Sequence, residues 1–120
     1  MKSVEQSVSV HPYFKVHSGK MDSVKLLLRE FVAKTASEPK ALYYEFTING
    51  DTVFCREAYA DADGALTHLA NVGTLLDKML TLSEVARLEI HGPAAELAKL
   101  RAPLAAYNPT WFTYECGMRR

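Results

Sequence analysis

Between residues 7 and 17 the chain alternates, with Val8, Val10, Phe14 and Val16 on one side and Ser7, Ser9, Lys15 and His17 on the other. A period of two predicts a strand. Pro12 cannot donate to a ladder, which points to an edge position or a bulge. Gly19 breaks the pattern, and from Asp22 the period lengthens: Val24, Leu27, Leu28 and Phe31 predict an amphipathic helix. Asp22 and Ser23 are its candidate caps, and Pro39 stops it by turning Glu38 away from helical backbone. Two β-rich runs follow, 41–48 and 52–60, separated by Asn49-Gly50-Asp51, the signature of a hairpin turn. Leu42, Tyr44, Phe46 and Ile48 share a face of the first run. The second sets Val53, Cys55, Glu57 and Tyr59 against Thr52, Phe54, Arg56 and Ala58. A helical region opens at Asp61 and reaches about Asn71, and Gly73 separates it from a shorter piece over roughly 75–82. Val85, Leu88 and Ile90 mark a strand over 85–91. Gly92-Pro93 ends that strand, and Pro93 suits the first turn of a helix over 94–101. The aromatic and Thr-rich stretch 110–116 predicts a last short strand.

The order is β-α-β-β-α-β followed by an α-β appendage. It predicts an α+β, ferredoxin-like fold: an antiparallel sheet with its two main helices on one face. No linker or repeat divides the 120 residues, so one domain is expected, with its core over about 8–115. Helices on one face leave the other open. The residues expected there, His11, Tyr13, Tyr43, Thr47, Arg87 and His91, are neither clearly polar nor clearly apolar. Such a mixture suits a partly wet interface with a second copy, and a homodimer is expected.

Charge narrows the partners. Lys+Arg and Asp+Glu both number 14, so there is no basic excess to drive binding to nucleic acid or an anionic membrane. Glu5 and Gln6 interrupt anything resembling a signal-peptide core after Lys2, and no apolar run spans a bilayer. Cys55 and Cys116 lack zinc or CxxC spacing and are expected to be reduced thiols serving as small hydrophobes. A cytoplasmic protein is expected. The six glycines form neither a GxGxxG nor a P-loop, and no GxSxG elbow is present.

One block is more specific. Glu57-Ala-Tyr59-Ala-Asp61-Ala-Asp-Gly64-Ala-Leu-Thr-His68 has the form E-x-W/Y-x-D-x-x-A-x-x-x-H. Upstream lies Glu38-Pro39-Lys40-Ala41-Leu42-Tyr43-Tyr44, near E-P-G-x-L-x-Y, and downstream His91-Gly92-Pro93 followed by Ala-Ala-Glu-Leu. In these blocks the chain resembles the antibiotic biosynthesis monooxygenase (ABM)-like domains of the dimeric α/β-barrel superfamily. It departs from their pattern in Lys40, where glycine is usual, and Gly64, where alanine is common. The resemblance implies a homodimer whose sheets pack face to face, with a pocket between sheet and helices in each subunit. Some members oxygenate polycyclic phenols or quinols with O2 and no added cofactor. Related branches degrade haem, isomerise or decarboxylate small molecules, or have no known activity. The Asn, Trp and His set of the haem-degrading branch has no counterpart here, the only tryptophan being Trp111 near the C-terminus.

The resemblance makes His68 the recurrent histidine of the family. An imidazole there could remove a phenol proton or bind an oxyanion; the alternative is a bond to a carbonyl or carboxylate that fixes helix to sheet. Glu57 could orient His68, or pair with Arg56, Arg87 or a cross-strand neighbour. Tyr44 and Tyr59 are the candidate substrate-binding hydroxyls, although buried tyrosines need partners in any fold. Asp61 is expected to be a helix N-cap. His11, His17 and His91 lie on separate strands without HxH or HxxxH spacing, and no metal site is expected. Two functions follow. One is a cofactor-independent monooxygenase of quinol or polyphenol substrates; the other is a non-catalytic dimer that binds a small aromatic ligand or serves as a structural domain.

Overall fold

The computed structural model describes residues 7–120; Lys2, Glu5 and Gln6 lie outside them. The chain runs β1 (Val8–Val16), α1 (Met21–Thr35), β2 (Ala41–Asn49), β3 (Thr52–Tyr59), α2 (Ala62–Asn71), α3 (Gly73–Leu82), β4 (Ser83–Gly92), α4 (Ala94–Leu104), a 3-10 turn (Ala105–Tyr107) and β5 (Thr110–Thr113). The strands form one sheet in the order β2-β3-β1-β4-β5. The first four are antiparallel, giving the ferredoxin-like βαββαβ core, while β5 adds to β4 in parallel. The sheet is therefore mixed. Among the described residues no helix is long and apolar enough to cross a membrane.

Alternation fixes which side chains face the helices. Val8, Phe14 and Val16 of β1 and Val53, Cys55, Glu57 and Tyr59 of β3 are buried beneath them. β1 lies in the middle of the sheet, not at an edge, and Pro12 keeps its register opposite Leu88; the bulge is on the neighbouring β4, where the register against β1 shifts between Tyr13 and Phe14. That shift explains the odd spacing of Val85, Leu88 and Ile90. The bulge inserts a residue between Val85, opposite Phe14, and Leu88, opposite Pro12, so all three share the inner face. A second irregularity, between Ala41 and Tyr43, displaces Leu42 from the inner face, where it is exposed.

Several local expectations change. Lys20 precedes α1 without a side-chain cap, and Asp22 and Ser23 fall inside the first turn, where Asp22 complements the helix dipole. The hairpin pairs Asn49 with Thr52, leaving a loop of Gly50 and Asp51 with only Gly50 at positive φ (60°). That is the glycine-first pattern of a type II′ loop. β5 stops at Thr113, so Cys116 is exposed outside any strand, whereas Cys55 is the buried free thiol.

Two apolar clusters lie under the helices. One joins Phe14, Val16 and Val53 to α1 and Met79; the other joins Val8, Tyr59 and Ile90 to Ala62, Ala65, Leu97 and Leu100. α2 is anchored tightly over the second. Asp61 accepts from the Gly64 amide (2.9 Å), as its N-cap role requires, and Glu96 of α4 accepts from the Ala62 amide (2.9 Å). Lys40 Nζ bonds both Asp61 oxygens, at 2.9 and 3.1 Å. A Cβ on Gly64 would stand 2.9 Å from Lys40 Cβ and 3.1 Å from Tyr59 Cβ. The two departures from the family pattern therefore touch: the longer residue at 40 occupies the space that a methyl group at 64 would need.

Candidate active site between the sheet and α2

His68 lies on the buried stripe of α2, with Ala62 and Ala65, so the helical period aims it at the sheet. Its ring is wedged between the rings of Tyr44 (centroids 4.9 Å) and Tyr59 (5.1 Å). Nδ1 faces the Glu38 carboxylate at 2.9 and 3.1 Å, and the Asn71 amide donates to the same carboxylate at 2.8 Å. On the opposite side, Nε2 is 3.7 Å from Glu57 Oε1, too long for a hydrogen bond. With Nδ1–H donating to Glu38, Nε2 is the atom left to face Glu57 and the cavity.

Glu57 meets neither Arg56, which pairs with Glu45 in the open, nor Arg87, which pairs with Glu89. It is buried, and its Oε1 accepts the Tyr59 hydroxyl at 2.6 Å. Burial raises its pKa, an effect that His68 and the Tyr59 bond oppose without cancelling. A proton on Glu57 belongs on Oε2, because Oε1 is already the acceptor for Tyr59. The same burial, with the nearby Glu57 charge, pushes the hydroxyls of Tyr44 and Tyr59 and the Cys55 thiol upward, so all three stay neutral donors.

These groups border a cavity of about 90 Å³. Its floor is the inner face of β1, β2, β3 and β4, and α2 and α3 roof it. Glu57, His68, Tyr44 and Tyr59 all line it, so the structure brings the four expected residues together. Their hydroxyls differ in disposition. That of Tyr59 is engaged with Glu57, while that of Tyr44 stands near Cys55 and Thr35. Glu38 and Asn71 were not expected here. Glu38 opens the E-P-K segment before β2, where its sequence neighbours suggest no role, and its partnership with His68 spans thirty residues.

The remaining histidines behave differently. His11 and His91 meet edge-on at 4.6 Å on the outer face, while His17 follows the end of β1. Among the described residues no group of three or more His, Cys, Asp or Glu is arranged to hold a metal ion.

Known structures carry the same arrangement of elements. MupZ from Pseudomonas fluorescens superposes with a TM-score of 0.92 at 39% identity, over 96% of this chain and 95% of that one. The chain belongs to the MupZ family. An antibiotic biosynthesis monooxygenase matches at TM-score 0.62 and 20% identity, over 69% of this chain and 92% of that one. Rv0793 from Mycobacterium tuberculosis matches at 0.67 and 15%, over 72% and 94%. At these identities the last two likenesses show a shared fold. No family model matches the chain, and none of the curated proteins matches it.

Proposed function

We propose that this MupZ-family chain is an acid/base catalyst acting on a small neutral molecule, with Glu57 exchanging a proton with a substrate oxygen. The observation that carries this reading is a carboxyl group buried at an apolar cavity, one oxygen held by Tyr59 and its neighbour His68 anchored by Glu38. Burial favours the protonated acid, which suits Glu57 to give its proton to an oxygen that gains negative charge. The carboxylate left behind is stabilised by the Tyr59 hydroxyl and by His68. Run backwards, the same groups remove a hydroxyl proton. Tyr44 is assigned to contact the bound molecule, and Tyr59 to hold Glu57.

A second, narrower reading is cofactor-independent oxygenation of a quinol or polyphenol. It is favoured by the aromatic lining, which includes Phe14, Phe31, Tyr44, Phe46 and Tyr107, and by the name of the monooxygenase relative. One experiment separates the two. Neutral phenols, hydroquinones, ketones and alcohols are incubated with wild type, Glu57→Gln and His68→Ala, with products followed by NMR and oxygen by electrode. The expected result is turnover that falls about a hundredfold in both variants. Undiminished turnover in Glu57→Gln would overturn the acid/base reading. Turnover without oxygen uptake would remove the oxygenase.

The chain is further proposed to act as a single domain and to pair as a homodimer in the cytoplasm. An aromatic row crossing the outer face, Tyr13 and Phe54, His11 and His91, then Phe112, supports the pairing. Sedimentation at twice the chain mass is expected, reduced to the single mass by Phe54→Asp.

A further inference from the structure

The polar groups of the cavity are gathered at one end. On the inner face Glu57 stands between Tyr44 of β2 and Val10 of β1. Two residues back along β3 is Cys55, beside Phe46, and two further is Val53, beside Phe14, which in turn faces Val85. Phe14, Val85 and, from α3, Met79 line the far part of the cavity. Four residues of strand separate the two ends by about 13 Å. Between them the sheet offers one polar atom, the neutral thiol of Cys55.

Charge along the lining is as informative. Among the described lining residues there is no lysine or arginine, and Glu57 is the one carboxyl. An anionic ligand would lose its hydration opposite a carboxyl group, with no cation to compensate. An ammonium would lose its hydration in an apolar slot whose one carboxyl already has His68 and Tyr59 beside it. A neutral oxygen meets neither difficulty. It can accept from a protonated Glu57, or donate to it as a hydroxyl.

We propose that the cavity takes a one-headed ligand, with a single neutral oxygen function seated at Glu57 and His68 and an unbroken hydrocarbon body running toward Phe14, Val85 and Met79. This rests on the acid/base assignment of Glu57 and adds the class of molecule on which it works. Met79 and Val85 become the residues that set how long that body can be.

Calorimetric titration of the full chain with octanol, octanoate, octylamine and butanol tests it. Octanol is expected to bind at least about tenfold tighter than each of the other three. Met79→Trp and the gentler Val85→Phe, at a half-buried position, should each weaken octanol about tenfold and leave butanol within roughly threefold. Octanoate or octylamine binding as tightly as octanol would overturn the proposal. So would octanol affinity unchanged in both variants, or no octanol binding up to its solubility. Glu57→Gln keeps the two readings apart. If it abolishes turnover while the ligand preferences fail, only the ligand class falls; if the preferences hold while it turns over normally, only the acid/base reading falls.

Discussion

The two faces of this sheet each carry a histidine against a glutamate, and the pairs have little else in common. On the inner face His68 meets Glu38 at 2.9 Å with side chains 7% and 5% exposed. On the outer face His91 meets Glu89 at 3.3 Å with side chains 40% and 17% exposed. The inner pair borders an apolar cavity beside a second carboxyl group, Glu57, whose pKa burial has raised. The outer pair has Arg87 on its carboxylate, and that hydrogen bond lowers the pKa of Glu89; the imidazole stacks on Phe112 at 4.5 Å. Identical residue types thus give opposite electrostatics. Which face of the sheet a residue occupies determines whether its charge is stripped of water or shared with it.

Removing Glu38 tests the contrast most severely. Glu38→Ala leaves His68 without its buried partner and is expected to lower unfolding free energy by about 3 kcal/mol in urea denaturation. Next, Glu57→Gln preserves shape and the Tyr59 acceptor but removes the transferable proton. Turnover should fall about a hundredfold, near 2.7 kcal/mol of barrier, with the circular dichroism spectrum unchanged.

Close packing is the next property of the inner face to test. Gly64→Ala drives a methyl group against Lys40 and Tyr59 and should cost about 2 kcal/mol. Adding Lys40→Gly should recover part of that, since it clears the contact while giving up the Asp61 bond. The smallest effect belongs to the outer face. At dilutions that keep the chain monomeric, Glu89→Gln should change stability by less than about 1 kcal/mol, and added salt should shrink the change further. A loss comparable with that of Glu38→Ala would erase the distinction between the faces.

Acidity sharpens the comparison because the signs differ. Glu57 has a raised folded pKa. As pH climbs from the ordinary carboxylate range toward that value, the unfolded chain releases a proton that the folded chain keeps, and stability is lost. Glu57→Gln should therefore gain on wild type as pH rises. Glu89 has a lowered folded pKa, so its contribution is present above the ordinary carboxylate range and disappears as pH falls through the lowered value. The penalty of Glu89→Gln should accordingly vanish on acidification. Thermal melts across pH read both slopes.

Much of the contrast between the faces is legible in the amino-acid sequence. Alternation in β1 and β3 assigns Val8, Phe14, Cys55, Glu57 and Tyr59 to one face, because side-chain direction in a strand is a local property. The six residues expected to face outward are on the outer face for the same reason. Asp61 reads as a cap from its place before the helical stripe. The E-x-Y to His68 block points to a strand and a helix that border the cavity. Glu38 is out of reach of such reasoning, since nothing local connects it to a histidine thirty positions later.

By itself, then, the sequence determined the order of elements and the face on which each strand side chain lies, both set by backbone geometry over a few residues. Tertiary structure alone decided that Pro12 sits in a central strand whose neighbour β4 bulges opposite Phe14, that β5 adds in parallel, and that Lys40 occupies the space vacated at Gly64. It also decided that His68 lies between two carboxyl groups from different segments. Those outcomes depend on which distant surfaces exclude water together, and burial of that kind is a property of the packed chain, not of any stretch of it.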